Sequence, residues 1–435
     1  MHLMARIWWI AALATLSLMI AGTAAPALTV KRAAHNRSIT LSLAGNYASG
    51  QVTGAVNDRY PACSAGVSVT IQRFRPGGWR RVATTMTQTD GTYGVRLHSA
   101  RGKYRAVLYG SILASGEQCA LRSVAGCVGV RVAAGADLSV VVRSHGGGTT
   151  YCLAAGAYTV TQRVLLDPGD VVSGAGRTAT VISAAPGVPL LFDYYQPDAN
   201  GVLTFEHLSM GGANTPREAS CNKGSCGSVM LSNVVIHATD VRCFGNATTC
   251  FSGGSHDLVL TNFECDGNGW HPDALANKYQ SSACIKMHHG SLTVNDSLFH
   301  DNSWDAIWCD HCDHGTISIR NSRFVHNGRA GFTWEVSGDA APGDHAYLQG
   351  NTFLDNGWNP NIPNGSGGHA GIIISDSANI EITGNTFHNN LALDQPGSRA
   401  VLMYDGPRDP QPMHDISIHN NTLNNDRIDT YTPTK

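Results

Sequence analysis

Leu348-Gln349-Gly350-Asn351-Thr352-Phe353-Leu354-Asp355-Asn356 and, 34 residues later, Ile382-Thr383-Gly384-Asn385-Thr386-Phe387-His388-Asn389-Asn390 are two copies of one unit. Earlier copies are Val294-Asn295-Asp296-Ser297-Leu298-Phe299-His300-Asp301-Asn302 and Ile319-Arg320-Asn321-Ser322-Arg323-Phe324-Val325-His326-Asn327, and Ile418-His419-Asn420-Asn421-Thr422-Leu423 closes the series. Others lie around Val235 and Phe263. Each copy reads as a short strand, a polar turn, a large apolar residue and then Asn. Such a unit cannot bury its own apolar face, so it must stack on its neighbours, and repeats of this length signify a solenoid. The anchors from Phe299 to Leu423 are 25, 29, 34 and 36 residues apart, so the coil is constant while the loops grow. The pattern predicts one buried column of Phe299, Phe324, Phe353, Phe387 and Leu423. Asn302, Asn327, Asn356 and Asn390 are placed to form an amide ladder beside it.

Each coil contains a further strand, and five of these align from a small first residue: Cys284–His289, Ala306–His311, Gly331–Val336, Gly371–Asp376 and Ala400–Asp405. Alternation puts Ile285, Ile307, Phe332, Ile372 and Val401 inward. One outward column is then Lys286, Trp308, Thr333, Ile373 and Leu402, and the next is His288, Asp310, Glu335, Ser375 and Tyr404. With strands about 4.8 Å apart, His288, Asp310 and Glu335 occupy consecutive rungs, with Lys286 on the same face. An imidazole, an amine and two acids are groups for proton transfer, and close carboxylates raise the pKa of one of them. The candidate catalytic residues are therefore Asp310, Glu335, His288 and Lys286; the alternative is a solvated salt-bridge ladder. Insertions at 266–280, 356–370 and 405–413 flank this face. Trp270 and Trp358, each in Asn-Gly-Trp, join Trp308 and Tyr404 as candidate substrate-binding residues, because aromatic faces stack on sugar rings. His271 and Asp273 are the reserve site. Asp376 and Asp405 end their strands as Ca²⁺ ligands or turn caps; Ca²⁺ needs six to eight oxygens.

The repeated N-x-F-x-x-N coils resemble the right-handed parallel β-helix of the pectate-lyase-like superfamily. Tyr151–Tyr158 and Leu166-Asp167-Pro168-Gly169-Asp170-Val171-Val172-Ser173-Gly174 are similar to its first coils. The resemblance spans residues 148–428 and implies a polysaccharide partner. The polygalacturonase motifs Asn-Thr-Asp, Asp-Asp, Gly-His-Gly and Arg-Ile-Lys are missing from these coils. A uronate lyase with Lys286 or His288 as base at the sugar C5 is the leading expectation. A glycoside hydrolase, a C5 epimerase and a non-catalytic carbohydrate-binding or cell-surface rod are the alternatives.

Residues 37–143 differ from the repeats. Short alternating runs, among them Gln51–Ala55, Val67–Arg73, Trp79–Thr84, Thr92–Leu97, Lys103–Tyr109 and Val128–Val132, predict a small antiparallel β-sandwich. Ser49-Gly50-Gln51-Val52-Thr53-Gly54 and Thr89-Asp90-Gly91-Thr92-Tyr93 resemble the carboxypeptidase-regulatory or prealbumin-like sandwich, which implies an accessory module. The fold class is thus all-β, a right-handed parallel β-helix preceded by a sandwich.

Arg6, the apolar run Ile7–Ile20 and Ala25-Pro26-Ala27 read as a signal peptide over 1–27, so a secreted chain without a membrane span after cleavage is expected. With 30 basic and 32 acidic residues the net charge is −2, which argues against nucleic acid as a partner. A monomer is expected. The 12 cysteines of an exported chain suggest disulfides, with Cys221–Cys226, Cys243–Cys250 and Cys119–Cys127 as short-range candidates. Cys309-Asp310-His311-Cys312-Asp313-His314 reads as a disulfide or two separate packed thiols, with half of a zinc site as the alternative. The sequons at Asn36, Asn246, Asn295, Asn364 and Asn420 matter only in a glycosylating host.

Overall fold

The structure is a computed structural model that describes residues 35–431 apart from 45, 55–60, 76–77, 99–102, 114, 116, 121, 195–200, 215–226, 232–233, 254–256, 272–282, 339–342, 363–367 and 407–412. The signal segment, Cys221, Cys226, Asp273 and Asn364 lie outside the described residues.

The repeats form the right-handed parallel β-helix that the sequence resembles. A typical coil gives two short strands, such as Leu292–Asn295 and Leu298–His300, to an 18-stranded sheet. It then gives one, such as Asp305–Asp310, to a ten-stranded sheet. Both sheets pair in parallel from coil to coil. The bend between the two short strands needs a left-handed residue, and Asn262, Asp296, Asn321, Gly350, Gly384 and Asn420 supply it with φ between 50° and 66°. Asn, Asp and Gly tolerate this region at least cost.

The aromatic column is continuous. Phe299, Phe324, Phe353 and Phe387 stack with centroid separations of 5.2, 4.8 and 5.0 Å and planes within 10° of parallel. Leu423 packs partly buried against the same core. The amide ladder is longer than the sequence suggests: each Nδ2 donates to the next Oδ1 from Asn246 through Asn268, Asn302, Asn327 and Asn356 to Asn390, at 2.8–2.9 Å. It ends on Asp426, whose Oδ2 accepts from Asn390 at 2.7 Å.

Two four-stranded antiparallel sheets form the sandwich around Ile39, Val52, Val69, Ile71 and Leu108. The run Val128–Val132 departs from its expected place there. Val130–Val132 pairs in parallel with Thr150–Leu153 and opens the long sheet instead, because its apolar side chains cover the first coil. The short helix Leu138–Arg143, capped by the Asp137 side chain on the Ser139 N–H, closes the same end with Leu138 and Val142. The sandwich docks on the flank of the coils, where Thr53 Oγ1 donates to the fully buried Asp240 at 3.1 Å and Gln51 accepts from Thr178 N at 3.1 Å.

Among the described residues the disulfides are Cys63–Cys119, Cys127–Cys152, Cys243–Cys250, Cys265–Cys284 and Cys309–Cys312. Cys243–Cys250 is as expected. Cys119 and Cys127 are not partners, because Cys119 faces Cys63 within the sandwich while Cys127 reaches Cys152 on the first coil. The Cys309 and Cys312 thiols bond to each other and not to zinc. These bonds suit an oxidising compartment outside the cytoplasm. No helix among the described residues is long and apolar enough to cross a membrane.

Replacing Phe324 by Ala removes the middle of the aromatic column and should lower stability by about 3–5 kcal/mol in urea denaturation. A loss below about 1 kcal/mol would mean that the column is not close-packed.

Candidate functional site

The ten-stranded sheet has the phase the aligned strands require. Lys286, Trp308, Thr333, Ile373 and Leu402 pair in one row. Asp310, Glu335, Ser375 and Tyr404 form the next. His288 lies just past its strand, with Nδ1 4.0 Å from Asp310 Oδ2. The first row is not a solvated face: Lys286, Thr333 and Ile373 are each 1% exposed and Trp308 6%. Water reaches the second row at His288, with 39% of its side chain exposed, at the half-buried Tyr404, and at the edges of Asp310 and Glu335.

Two buried donors in the first row, Lys286 and Trp308, each serve an acid one coil further on. Lys286 Nζ donates to Asp310 Oδ2 at 2.7 Å, and Trp308 Nε1 donates to Glu335 Oε2 at 2.6 Å. The two acids thus each accept from a donor of their own. The Trp308 ring carries the Lys286 ammonium 3.2 Å from its centroid and the Arg329 guanidinium at 4.6 Å, and it lies parallel to Trp304. Arg329 is clamped by the buried Asp305 at 2.7–3.1 Å. Arg329, Asp305 and Trp304 lie outside the columns that strand alternation singles out. Trp304 stands two residues after Asn302 and Arg329 two after Asn327, so their position in the repeat was a usable signal.

Burial sets the proton affinities. Loss of water pushes the Lys286 ammonium down to about 8 even though Asp310 and Glu335 pull it up. Burial, reinforced by Lys286, lowers His288 and leaves a neutral imidazole at pH 7. Burial also raises the Tyr404 phenol, which stays protonated.

The turns behind the second row are held by hydroxyls. Ser337 Oγ donates to Glu335 O at 2.7 Å and accepts from Cys312 N, while Ser377 Oγ donates to Ser375 O at 2.6 Å and accepts from Ser337 N. The turns bring further histidines together: the His289 and His314 rings lie 6.1 Å apart, beside Asp313.

Trp270 and Trp358 stand apart from this floor. Their indole N–H groups donate to Gly245 O and His326 O of neighbouring turns, and the Trp358 ring stacks on His326 at 5.0 Å. His271 packs beside Trp270. Asp376 is buried and accepts from Ser375 Oγ, while Asp405 is partly exposed at the strand end. No third His, Cys, Asp or Glu ligand atom gathers with these two among the described residues.

Residues 237–435 match the family described as "Periplasmic copper-binding protein (NosD)". No curated protein matches the chain. Among solved structures, the chain is similar to the family 28 exopolygalacturonase of Yersinia enterocolitica, at 10% identity over 91% of this chain and 92% of that one, TM-score 0.45. It is similar to PfbA, a surface adhesin of Streptococcus pneumoniae, at 12% identity over 70% and 81%, TM-score 0.45. A mannuronan C-5 epimerase A-module of Azotobacter vinelandii is 13% identical over 69% and 96%, TM-score 0.31.

The depressed Lys286 fixes the sign of a pH effect. Below about 8 the amine is charged in both folded and unfolded chains, and burial of that charge costs stability. Between about 8 and the ordinary 10.5 the unfolded chain binds more protons, so Lys286 makes the fold more stable as pH rises. The stability of wild type minus that of Lys286→Met, from urea titrations, should therefore increase over this interval. A flat difference would show that the amine titrates normally.

Proposed function

We propose that the protein is a polysaccharide-cleaving enzyme outside the cytoplasm, secreted in the form processed after its signal segment, and that it lays a sugar chain across the second row of the ten-stranded sheet. The observation that carries this reading is His288, an accessible imidazole kept neutral by its surroundings and backed by the Asp310–Lys286 pair. A base is what β-elimination of a uronate needs. His288 takes the C5 proton, the C4–O bond breaks as C4=C5 forms, and the proton passes to the departing glycosidic oxygen. Asp310 orients the imidazole and favours its transient positive charge, while Lys286 holds Asp310 in place. Tyr404 lies four coils beyond His288, roughly 19 Å at the usual strand spacing, so it contacts a distant sugar and not the reacting one.

No step is routed through an ion at Asp376 and Asp405: Asp376 accepts from Ser375 Oγ, and no third His, Cys, Asp or Glu ligand atom gathers with them among the described residues. A second reading, hydrolysis, draws on the adjacent carboxylates of Asp310 and Glu335. It lacks an evident acid, since each of these carboxylates already accepts from its own buried donor.

Incubation with uronic-acid and neutral polysaccharides, following ultraviolet unsaturation, reducing ends and C5 configuration together, decides among the chemistries. Unsaturated ends are expected. His288→Asn should cut turnover by at least about 10²-fold with the fold retained, and Glu335→Gln, which removes the negative charge while keeping an oxygen for the Trp308 indole, should cut it comparably. Reducing ends without unsaturation would favour hydrolysis, and unchanged turnover in His288→Asn would remove the base assignment.

A further inference from the structure

The charge of the chain is divided unevenly between the sandwich and the coils. Residues 37–125, which span the sandwich, hold eleven Lys and Arg against three Asp and Glu, a net charge of +8, so the rest of the −2 chain carries −10. Much of the positive excess lies on one sheet. Ser68–Arg75 pairs there with Gly78–Met86 on one side and Tyr104–Leu108 on the other. Val69, Ile71, Tyr104 and Ala106 pack in the sandwich core. Alternation and register therefore put Gln72, Phe74, Trp79, Arg81 and Arg105 on the opposite face.

These side chains hold one another in place. Arg105 Nε donates to Gln72 Oε1 at 2.7 Å, Gln72 Nε2 donates to Tyr109 Oη at 3.2 Å, and the Arg105 guanidinium lies 4.6 Å from the centre of the Trp79 ring. Phe74 meets Trp79 edge to face at 5.4 Å. Phe74 and Tyr109 are nevertheless 52% and 56% exposed, and Arg75, Arg80 and Arg81 are exposed beside them. Among the described residues no carboxylate pairs with Arg75, Arg80, Arg81 or Arg105. Arg105 is thus oriented by a neutral amide and a neutral indole, which leaves its charge unmatched within the chain.

We propose that this face binds an acidic polysaccharide, with Arg81 and Arg105 taking carboxylates while Phe74 and Tyr109 lie against sugar rings. A guanidinium matches a carboxylate with two parallel hydrogen bonds, and an exposed aromatic ring offers an apolar face to a sugar. Arg81 and Arg105 flank Gln72 in one row, so their Cα atoms lie roughly 10 Å apart at the usual strand spacing, far enough to engage different sugars of one chain. The sheet edge argues against a second copy as the occupant. Gly78–Met86 borders the sheet, and the register shift between Ile71 and Gln72 leaves Val82 unpaired beside Arg80 and Arg81. A bulge and charges are what keep an edge from pairing with another strand. The inference rests on the cleavage reading only for the polymer's being a saccharide, since its acidity follows from the charge of the sandwich.

Binding of the full chain to immobilised polygalacturonate, alginate, methyl-esterified polygalacturonate, a neutral glucan and single-stranded DNA is measured by surface plasmon resonance. Retention by an acidic polysaccharide is expected, weakened by salt and lost on the ester and the neutral glucan. Phe74→Ala and Arg81→Gln change exposed side chains and should each weaken binding at least about 3-fold, and together about 10-fold. Arg320→Gln, at an exposed arginine of the coils, should leave it unchanged. The proposal is overturned if neither acidic polysaccharide is bound, if the double variant binds as the wild type does, or if single-stranded DNA is bound as tightly, which would make the face a general polyanion site. A dimer in sedimentation that Arg81→Gln dissolves would assign the face to a second copy and overturn it too. Turnover of short soluble uronate oligomers should be equal in the wild type and the double variant, so a lost cleavage reading leaves the binding result standing, and lost binding leaves turnover standing.

Discussion

The buried asparagine ladder is the constraint on which the rest of the molecule depends. An interior amide must find a donor and an acceptor, and Asn302, Asn327 and Asn356 find theirs in the coils before and after, with Nδ2 also reaching a carbonyl such as Phe299 O from Asn327. Slipping one coil by a single residue would break two such contacts and turn a buried phenylalanine outward. Register is therefore set by hydrogen bonds that tolerate no alternative, and the aromatic column supplies the driving force. The spacing between successive anchors grows from 25 to 36 residues while the register stays intact.

The fixed register gives the ten-stranded sheet its chemistry. The diagonal from Lys286 to Asp310 repeats from Trp308 to Glu335 because consecutive strands pair with one offset. A buried amine, a guanidinium and three carboxylates are costly to desolvate, and their mutual contacts offset that cost only in one geometry. Removing one partner would leave another charged and alone. The accessible groups, His288 and the edges of Asp310 and Glu335, thus rest on a foundation that holds their positions without contacting substrate.

The fold was legible because it follows from periodicity. Phe299 to Phe387 and the Asn residues three places after each recur in sequence, and stacking is the only way to bury them. The phase of the candidate site was legible for the same reason, since Ile285, Ile307 and Phe332 take the inward positions. What stayed hidden depends on contacts between distant segments. The burial of Lys286 comes with the Trp308 ring and the Asp310 carboxylate packed against it, and alternation alone cannot distinguish an outward residue that is wet from one that is buried. Cys63 meets Cys119 across the sandwich, a closure that linear spacing disfavours. The N–H groups of Trp270 and Trp358 serve carbonyls of neighbouring turns, so the motif shared by two loops also marks a turn device that spacing alone does not reveal.

The left-handed bends link the sandwich to the same register. His207, Asp240, Asn262 and Asp296 adopt φ of 52° to 56° on successive coils, a conformation that turns their short polar side chains towards their neighbours along the flank. Asp240 gathers the most: it accepts from Asn262 Nδ2 at 2.9 Å, His207 Nδ1 at 3.0 Å and the sandwich hydroxyl of Thr53 at 3.1 Å, with Arg177 3.4 Å away. Arg177 holds its carboxyl below the usual range despite complete burial, and the nearby acids raise His207 in turn. A residue first required by the backbone bend therefore also ties the sandwich to the coils. The solenoid carries this contact at little cost to its core, because the column the sandwich grips exists for the coils' own sake.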